Sequence, residues 1–492
     1  MKAKSFYITT TLPYVNADPH IGFAMELIQA DVIARVKRQQ GFEVFFNTGS
    51  DEHGIKIYRK ALEAKMDPKV YCDMYAPKFN DLKSALNLSY SNFIRTTDDN
   101  HKKAAQEFWK LCEKNGDIYK KNYKVKYCVG CELEKMDSEL ENGICPIHPN
   151  LEIELIEEEN YFFRYSKYQK LLLDFYEKNP SFVVPEGRLN EIKEFTKRGL
   201  QDFSISRLKE KMPWGIDVPG DERHVMYVWT DALVSYISAL GWPENAKQFK
   251  AFWPGMQMAG KDNLRQQSSM WQAMLMSAGL PNSTQIFIHG FITVGGQKMS
   301  KSLGNVVDPF ELVKKYGADA VRYFLLREIT PTEDGDFTIE KFEQRYNADL
   351  AGGIGNLLAR TVTLAMKLKV IKLSSYQVVN KNLKAKIKET QKECQKYLEE
   401  FKFNESLKSI WELISFCDKY INEEKPWSGT PAAPQVISDI LFALEEIYGL
   451  LMPFMPETAE KIKVAVEPST FAKASARQEK SAQLFPRLDV GK

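Results

Sequence analysis

Apolar residues along "SFYITTTLPY" (residues 5–14) form a buried-strand pattern that stops at a proline turn. From about Gly22 to Gln40 the spacing changes to helical, with Met25, Ile28, Ile33 and Val36 on one stripe. "GFEVFFNTGSDEHG" (residues 41–54) then reads as a second strand running into a glycine-bearing loop. This strand–helix–strand rhythm predicts a parallel sheet with functional groups at its strand ends. From about Tyr119 to Arg223 the pattern breaks into short tyrosine-rich strands, acidic turns and a cysteine cluster, which predicts an inserted module. The α/β rhythm resumes at "HVMYVWTDALVSYISALG" and continues through "TQIFIHGFITVGG". Beyond about Lys341 the spacing is helical almost throughout, interrupted at "KPWSGTPAAPQ", and predicts a helical bundle.

The expected layout is therefore a split α/β domain with an insertion, followed by an all-α domain. Its limits are 1–118 and 224–328 for the two α/β halves, 119–223 for the insertion, 329–350 for a linker and 351–492 for the bundle. No repeat recurs at a period of about 20–50 residues. A length of 492 residues suits about three domains.

Composition narrows this only a little. Hydrophobic residues make up 44% and charged residues 27%, as in folded globular proteins, and the formal net charge of +2 excludes a polybasic chain. The N-terminal "MKAKSFYITTTLPY" lacks the apolar run of a secretory signal, and no window reaches a membrane-spanning length. Seven cysteines scattered over the chain do not make a secreted disulfide scaffold, so a cytoplasmic protein is expected.

Within "YCVGCELEKMDSELENGICPIHP", Cys128, Cys131, Cys145 and His148 follow a C-x2-C-x13-C-x2-H spacing. Two knuckles offering four soft ligands suit one tetrahedral Zn2+, and four protein ligands leave no open position, which makes the expected role structural. Cys72, Cys112, Cys394 and Cys417 stand in apolar helical contexts and are expected to be buried.

"TVGGQKMSKSLGNVVDP" places Lys298 and Lys301 around Met299 and Ser300 on a glycine-hinged loop. Two such lysines can close over a triphosphate and neutralise charge on departing pyrophosphate, although a charge-rich surface loop would read the same. "KMSKS" downstream of the "PHIG" turn in "ADPHIGFAMEL" resembles the paired signature of class I aminoacyl-tRNA synthetases. The resemblance covers nearly the whole chain and narrows to the methionyl-tRNA synthetases of short bacterial type with one zinc knuckle. It is supported by "TTLPYVNADPHIGF", "GSDEHG", "YVWTDALVSYISALG", "AGKDNLR", "HGFITVGGQKMSKSLGN" and "GNLLAR".

That resemblance implies a Rossmann-like parallel-sheet catalytic domain split by the zinc-binding insertion, then a helical anticodon-binding domain. It implies activation of methionine by ATP, accompanied by Mg2+, and transfer to the 3′ end of tRNA. His20, Lys298 and Lys301 would act in catalysis. Gly22, Gly260, Asp262, Ile292 and Ser300 would join Lys298 and Lys301 around ATP. Leu12, Tyr14, Asp51, Trp229, Ala232, Tyr236 and Gln267 would hold methionine, with Asp51 opposite its ammonium. By spacing alone Trp229, Ala232, Leu233 and Tyr236 read more readily as core than as pocket, and only the resemblance reverses this. Asn356, Arg360 and Trp427 would read the anticodon, the first two on one helix face and the indole as a stacking platform. The segment 329–350 would contact the tRNA stem.

The chain departs from the family pattern at two places. Phe23 stands where the first signature has a second His, which removes one donor to the phosphates. Asn263, Gln266 and Gln267 stand where the family has an apolar residue and "FH", so the methionine pocket changes polarity. A synthetase-like tRNA-binding protein with impaired catalysis is the alternative these changes leave open. The isoleucine, leucine and valine relatives carry a much longer insertion. The chain's end at "LFPRLDVGK", without a dimerising module, makes a monomer the expectation.

Overall fold

The computed structural model describes residues 4–131, 133–299, 304–370, 380–467 and 484–489. The chain divides into two compact units, one of Met1–Pro19, Gly41–Asp81 and Tyr90–Ile288, the other of His20–Gln40, Leu82–Ser89 and His289–Lys492.

The first unit begins with β1 (Ser5–Thr9), β2 (Glu43–Ser50) and β3 (Asn92–Arg95), short runs of aromatic and β-branched residues. The inserted region supplies β4 (Ile118–Cys128), β5 (Leu133–Lys135), β6 (Glu154–Phe163), β7 (Val183–Val184), β8 (Phe203–Ser204), β9 (Ser206–Leu208), β10 (Asp217–Val218) and β11 (Asp221–Met226). β12 (Met256–Gly260) and β13 (Gln285–His289) return to the main sheet, whose strand order is β3-β2-β1-β12-β13-β7. β1 pairs in parallel with β2 on one side and with β12 on the other, Ile8 facing Met256. Strands therefore run outward from β1 in one direction before the insertion and from β12 in the other after it. The crevice beyond the carboxyl ends of β1 and β12 is the switch point at which open α/β sheets bind ligands.

The insertion has its own antiparallel sheet, ordered β5-β4-β6-β8, with β4 and β6 paired from Ile118–Phe163 to Tyr127–Glu154. Its knuckle hangs from the end of β4. Cys72, Cys112, Cys394 and Cys417 are all buried, as their contexts predict.

In the second unit the helix Ile21–Gln39 matches the predicted span and buries Glu26, Gln29 and Asp31 along with its apolar residues. Buried charge of this kind needs partners, and Arg322 supplies one for Asp31. Arg322 is fully buried, lies 2.8 Å from the Asp31 carboxylate and donates to the carbonyls of Leu86, Pro453 and Phe454. One guanidinium thus ties the helix Ile21–Gln39 to the helical domain. That domain comprises the helices Asn356–Lys367, Lys381–Glu399, Phe403–Glu424, Ala433–Leu451 and Pro456–Val466. β14 (Ile292–Val294), β15 (Gln297–Lys298) and β16 (Gly335–Phe337) form a small sheet ordered β15-β14-β16 in the same unit. Among the described residues, no helix is long and apolar enough to cross a membrane.

Candidate active site, zinc knuckle and anticodon face

In the first unit, Leu12 and Tyr14 leave the end of β1 and meet the residue that leaves β2. Tyr14 and Asp51 form an isolated parallel bridge, and the Asp51 N–H donates to the Pro13 carbonyl at 2.9 Å. Asp51 is 3% exposed, and its Oδ1 accepts from the His53 N–H at 3.5 Å. Tyr14 and Trp229 both pack on the small apolar cluster of Tyr127, Tyr227 and Val228. The strand ends thus bring the expected carboxylate and two of the expected aromatic rings together.

Trp229 and Ala232 lie on the helix Val228–Ala232, and Tyr236 lies on the short helix that follows. Between them is Asp231, a carboxylate with no exposure, which links two buried histidines. His53 Nδ1 lies 2.7 Å from Asp231 Oδ2, and His101 Nε2 lies 2.7 Å from Oδ1. His101 Nδ1 in turn lies 2.9 Å from the Ser238 hydroxyl. Burial pushes the Asp231 carboxyl up, but the His53 charge and the hydrogen bonds of both imidazoles overcome this and hold it down at about 2. Asp231 thereby locks the helix bearing Trp229 and Ala232 to the Asp51–His53 loop. None of these three residues was singled out from sequence. An aspartate inside the apolar run "YVWTDALV" was the available signal.

Gln267 lies on a π-helical turn, Gln266–Met270, of the kind that re-aims side chains at functional sites. Its amide Nε2 donates to the Tyr236 hydroxyl at 2.5 Å, so the structure joins these two expected pocket residues. The Oε1 atoms of Gln266 and Gln267 are buried without a hydrogen-bond partner among the described residues. Gly260 ends β12 beside β1, and Asp262 follows on an exposed single turn, accepting from Asn263 Nδ2 at 3.2 Å.

The second unit holds the two signature motifs. His20 caps the helix Ile21–Gln39, its Nδ1 accepting from the Gly22 N–H at 3.1 Å. That bond leaves the ring proton on Nε2, a donor at a helix N-terminus, where anions are favoured. Burial lowers the His20 pKa and keeps the ring neutral. A Cβ on Gly22 would stand 2.9 Å from His20 Cε1 and 3.2 Å from Met299 Cε, so only glycine allows both the folded-back imidazole and the approach of the "KMSKS" methionine. The Ile21 N–H also donates to the Val307 carbonyl at 3.1 Å, just beyond the lysine loop. Deeper in the helix, Glu26 Oε2 lies 2.7 Å from His289 Nε2, and His289 Nδ1 lies 2.7 Å from the Gly290 carbonyl. Ile292 is buried in β14, and Lys298 is exposed on β15 with its ammonium 5.7 Å from the Phe291 ring centre. Ser300 and Lys301 lie outside the described residues.

The four ligand atoms of Cys128, Cys131, Cys145 and His148 lie within 4.8 Å of one another. Cys131 Sγ is 3.5 Å from Cys145 Sγ and 3.3 Å from His148 Nδ1, and Cys128 Sγ is 3.8 Å from the same nitrogen. Ligands about 2.3 Å from a tetrahedral Zn2+ would stand about 3.8 Å apart, so the set fits one such ion with no position left for substrate. Gly130 allows this closure, because a Cβ there would sit 2.4 Å from His148 Cγ. Metal analysis of the native protein is expected to give about one zinc per chain, and chelation is expected to unfold the knuckle and expose its thiols to an aromatic disulfide reagent. A metal-free native protein with an ordered knuckle would refute the assignment.

On the helical domain, Asn356 and Arg360 share a face of their helix, Asn356 exposed and Arg360 half-buried. The Arg360 guanidinium lies 5.6 Å from the Trp427 ring centre, and Trp427 is 45% exposed. An exposed indole with an arginine over it is a stacking platform for a flat, unpaired base.

Comparison with known proteins agrees with this geometry. Residues 6–152 and 134–362 match the family model described as tRNA synthetases class I (M), and 380–487 match the anticodon-binding domain of tRNA ligase. The chain is 43% identical to the methionine–tRNA ligase of Thermotoga maritima, over 93% of this chain and 74% of that protein. It is 44% identical to the corresponding ligase of Thermosynechococcus vestitus, over 93% and 89%. The structure of Mycobacterium tuberculosis methionyl-tRNA synthetase in complex with methionyl-adenylate superimposes with a TM-score of 0.90 at 35% identity, covering 98% of this chain and all of that one. A chain that joins a parallel sheet, a four-ligand knuckle and an anticodon-type helical domain, and that matches these relatives over at least 93% of its own length, belongs to the methionyl-tRNA synthetase family of class I.

Proposed function

We propose that the chain is a methionine–tRNA ligase that makes methionyl-adenylate from methionine and ATP and then esterifies the 3′ end of tRNA. The observation that carries this reading is the approach of Met299 to Gly22, which sets the methionine of "KMSKS" against the His20-capped helix N-terminus. Two motifs far apart in sequence thereby present a neutral imidazole donor and a lysine loop on one unit.

In the first step a carboxylate oxygen of methionine attacks the α-phosphorus of ATP. The bond from that phosphorus to the bridging oxygen breaks, and pyrophosphate leaves with the electron pair. No covalent enzyme intermediate is required, so the side chains act by position and charge. His20 Nε2–H donates to a phosphate oxygen, and Lys298 and Lys301 neutralise the departing pyrophosphate. Gly22, Gly260, Asp262, Ile292 and Ser300 complete the nucleotide site, and Mg2+ accompanies ATP. Asp51 pairs with the substrate ammonium, and Leu12, Tyr14, Trp229, Ala232, Tyr236 and Gln267 enclose the thioether side chain, where sulfur–aromatic contacts are favourable. In the second step a hydroxyl at the tRNA 3′ end attacks the acyl carbon and AMP leaves. The Zn2+ ties down the insertion and takes no part in either step.

Asn356, Arg360 and Trp427 hold the anticodon, and 329–350 borders the tRNA stem. The domains divide at 1–118, 119–223, 224–328, 329–350 and 351–492, and the enzyme works in the cytoplasm as a monomer.

Amino-acid-dependent exchange of pyrophosphate into ATP tests the activity. Exchange is expected with methionine, and isoleucine, leucine and valine are expected to give none above background. Tight tRNA binding without exchange for any amino acid would refute the catalytic reading.

A further inference from the structure

Arg360 is held from two sides. Its Nη2 donates to Asn422 Oδ1 at 2.9 Å, and its Nη1 lies 3.7 Å from Asp418 Oδ1, too far for a hydrogen bond. Asn422 and Asp418 are one turn apart on the helix Phe403–Glu424, so they present one edge to the guanidinium. Asp418 Oδ1 is buried and has no hydrogen-bond partner among the described residues. Burial pushes the Asp418 carboxyl up to about 6, with the Arg360 charge pulling the other way. No other charged side chain on the packed helices contributes to that shift, and on its own helix Lys419 and Glu423 pair with each other at 3.7 Å.

A carboxylate with a buried, unbonded oxygen weakens a fold. Such a group calls for an explanation, and this one stands at the arginine placed over an exposed indole. We infer that Asp418 is a positioning residue for Arg360, holding its guanidinium at Trp427 so that it reads the edge of a stacked, unpaired base instead of neutralising a nearby phosphate. The inference rests on the anticodon reading above and adds to it the group that sets the arginine's task. An ionised Asp418 cancels much of the long-range charge of Arg360 while leaving its N–H groups directional. Without that charge, Arg360 becomes a free cation that attracts any RNA backbone. Asp418 therefore serves base discrimination at some expense in raw affinity.

The test uses the whole enzyme with two tRNAs that differ only in the first anticodon base, CAU (complementary to the methionine codon) and UAU. At pH 7.5 the wild type is expected to favour CAU, and Asp418→Asn is expected to reduce the CAU/UAU affinity ratio about tenfold, the scale of one lost bidentate base contact. The variant should bind UAU tRNA more tightly than wild type does. Its log K against log salt should be steeper by about 0.7, one more single-strand phosphate contact. In the wild type the ratio should fall as pH drops from 7.5 to 5.5 and Asp418 takes up a proton, while the variant's ratio stays flat. The wild-type pH series also decides the matter if the variant does not fold. A ratio, salt slope and pH profile in Asp418→Asn equal to those of wild type would overturn the inference. Arg360→Ala and Trp427→Ala separate the two levels: if they lose CAU affinity while Asp418→Asn matches wild type, the positioning role alone fails. If both bind CAU and UAU tRNA as wild type does, the anticodon reading fails and the positioning role fails with it.

Discussion

Asp231→Asn is expected to raise the KM for methionine at least tenfold in pyrophosphate exchange, with a smaller change in kcat. The Asp231 carboxylate accepts from His53 Nδ1 and His101 Nε2, both at 2.7 Å. An amide can accept from one of them but must present its NH2 to the other, where two donors would clash. One imidazole must then change tautomer or leave a buried polar group unsatisfied, at a cost of about 1–3 kcal/mol. Asp231→Ala leaves His53 Nδ1 and His101 Nε2 without their shared acceptor and is expected to cost about 3–5 kcal/mol. Because Asp231 sits between Trp229 and Ala232 and is bound to the loop of Asp51, the loss is expected to fall on the walls of the proposed amino-acid pocket. Those walls bind ground state and transition state alike, so KM moves more than kcat. Equal methionine KM in wild type and Asp231→Asn would refute the link from this network to the pocket.

The same network carries an acid signature. The folded-state pKa of Asp231 is depressed from 3.8 to about 2, so the group contributes stability that is fully present above about pH 4. That contribution is lost as pH falls through about 2, and it is absent in Asp231→Asn. The gap between variant and wild type in denaturant unfolding should therefore narrow on acidification across that window.

The features that were legible from sequence are those a short stretch carries by itself. β1 shows as a short apolar run stopped by a proline, and the helix Ile21–Gln39 shows in its helical apolar spacing, although it is buried on every side from Ala24 to Ala34. The knuckle shows in cysteine spacing, because two turns of fixed length must converge on one ion. Lys298 and Lys301 stand out only when "KMSKS" is taken with the "PHIG" turn, because a charge-rich surface loop has the same spacing. The Asp231 network was not legible in this way. His53, His101 and Asp231 lie in three separate segments, and each alone resembles an ordinary loop or helix residue. Their meaning comes from a junction that exists only after β2 and the helix Val228–Ala232 have packed.

A similar limit hid Asp418 and the pairing of Asp31 with Arg322. In "SFCDKYINEE" the aspartate sits in a charged helix where most acids are solvated, and only the packed structure shows its Oδ1 without a partner. The helix Ile21–Gln39 illustrates the reverse case. Its span follows from spacing, yet its membership in the unit containing the lysine loop depends on Arg322, some 290 residues away. The Gln267–Tyr236 bond lies between these extremes, since the polar departure was visible and the π-helical turn that aims it was not.

Lys301→Ala is expected to lower kcat for methionine-dependent pyrophosphate exchange about 10²–10³-fold while tRNA affinity stays within about twofold of wild type. The magnitude is that of removing one preorganised stabiliser from a reaction that runs on positioned charge. In this chain the loss should fall at the upper end of the range. Phe23 has already removed the second histidine of the first signature, which leaves His20 Nε2–H and the lysine loop to answer the charge that grows on pyrophosphate. A lysine that acts only as that charge develops lowers kcat and kcat/KM together and leaves the KM for ATP nearly constant. Lys298, exposed on β15 near Phe291, is expected to follow the same pattern with a smaller loss. The proposed anticodon determinants Asn356, Arg360 and Trp427 lie on the helical domain, so a change in the loop should not reach them. A parallel fall in exchange and tRNA binding would mean that Lys301 supports the fold or the RNA surface and does not stabilise the leaving group. A rise in the KM for ATP at unchanged kcat would mean that it binds the triphosphate equally before and during reaction, which would make the lysine loop a clamp.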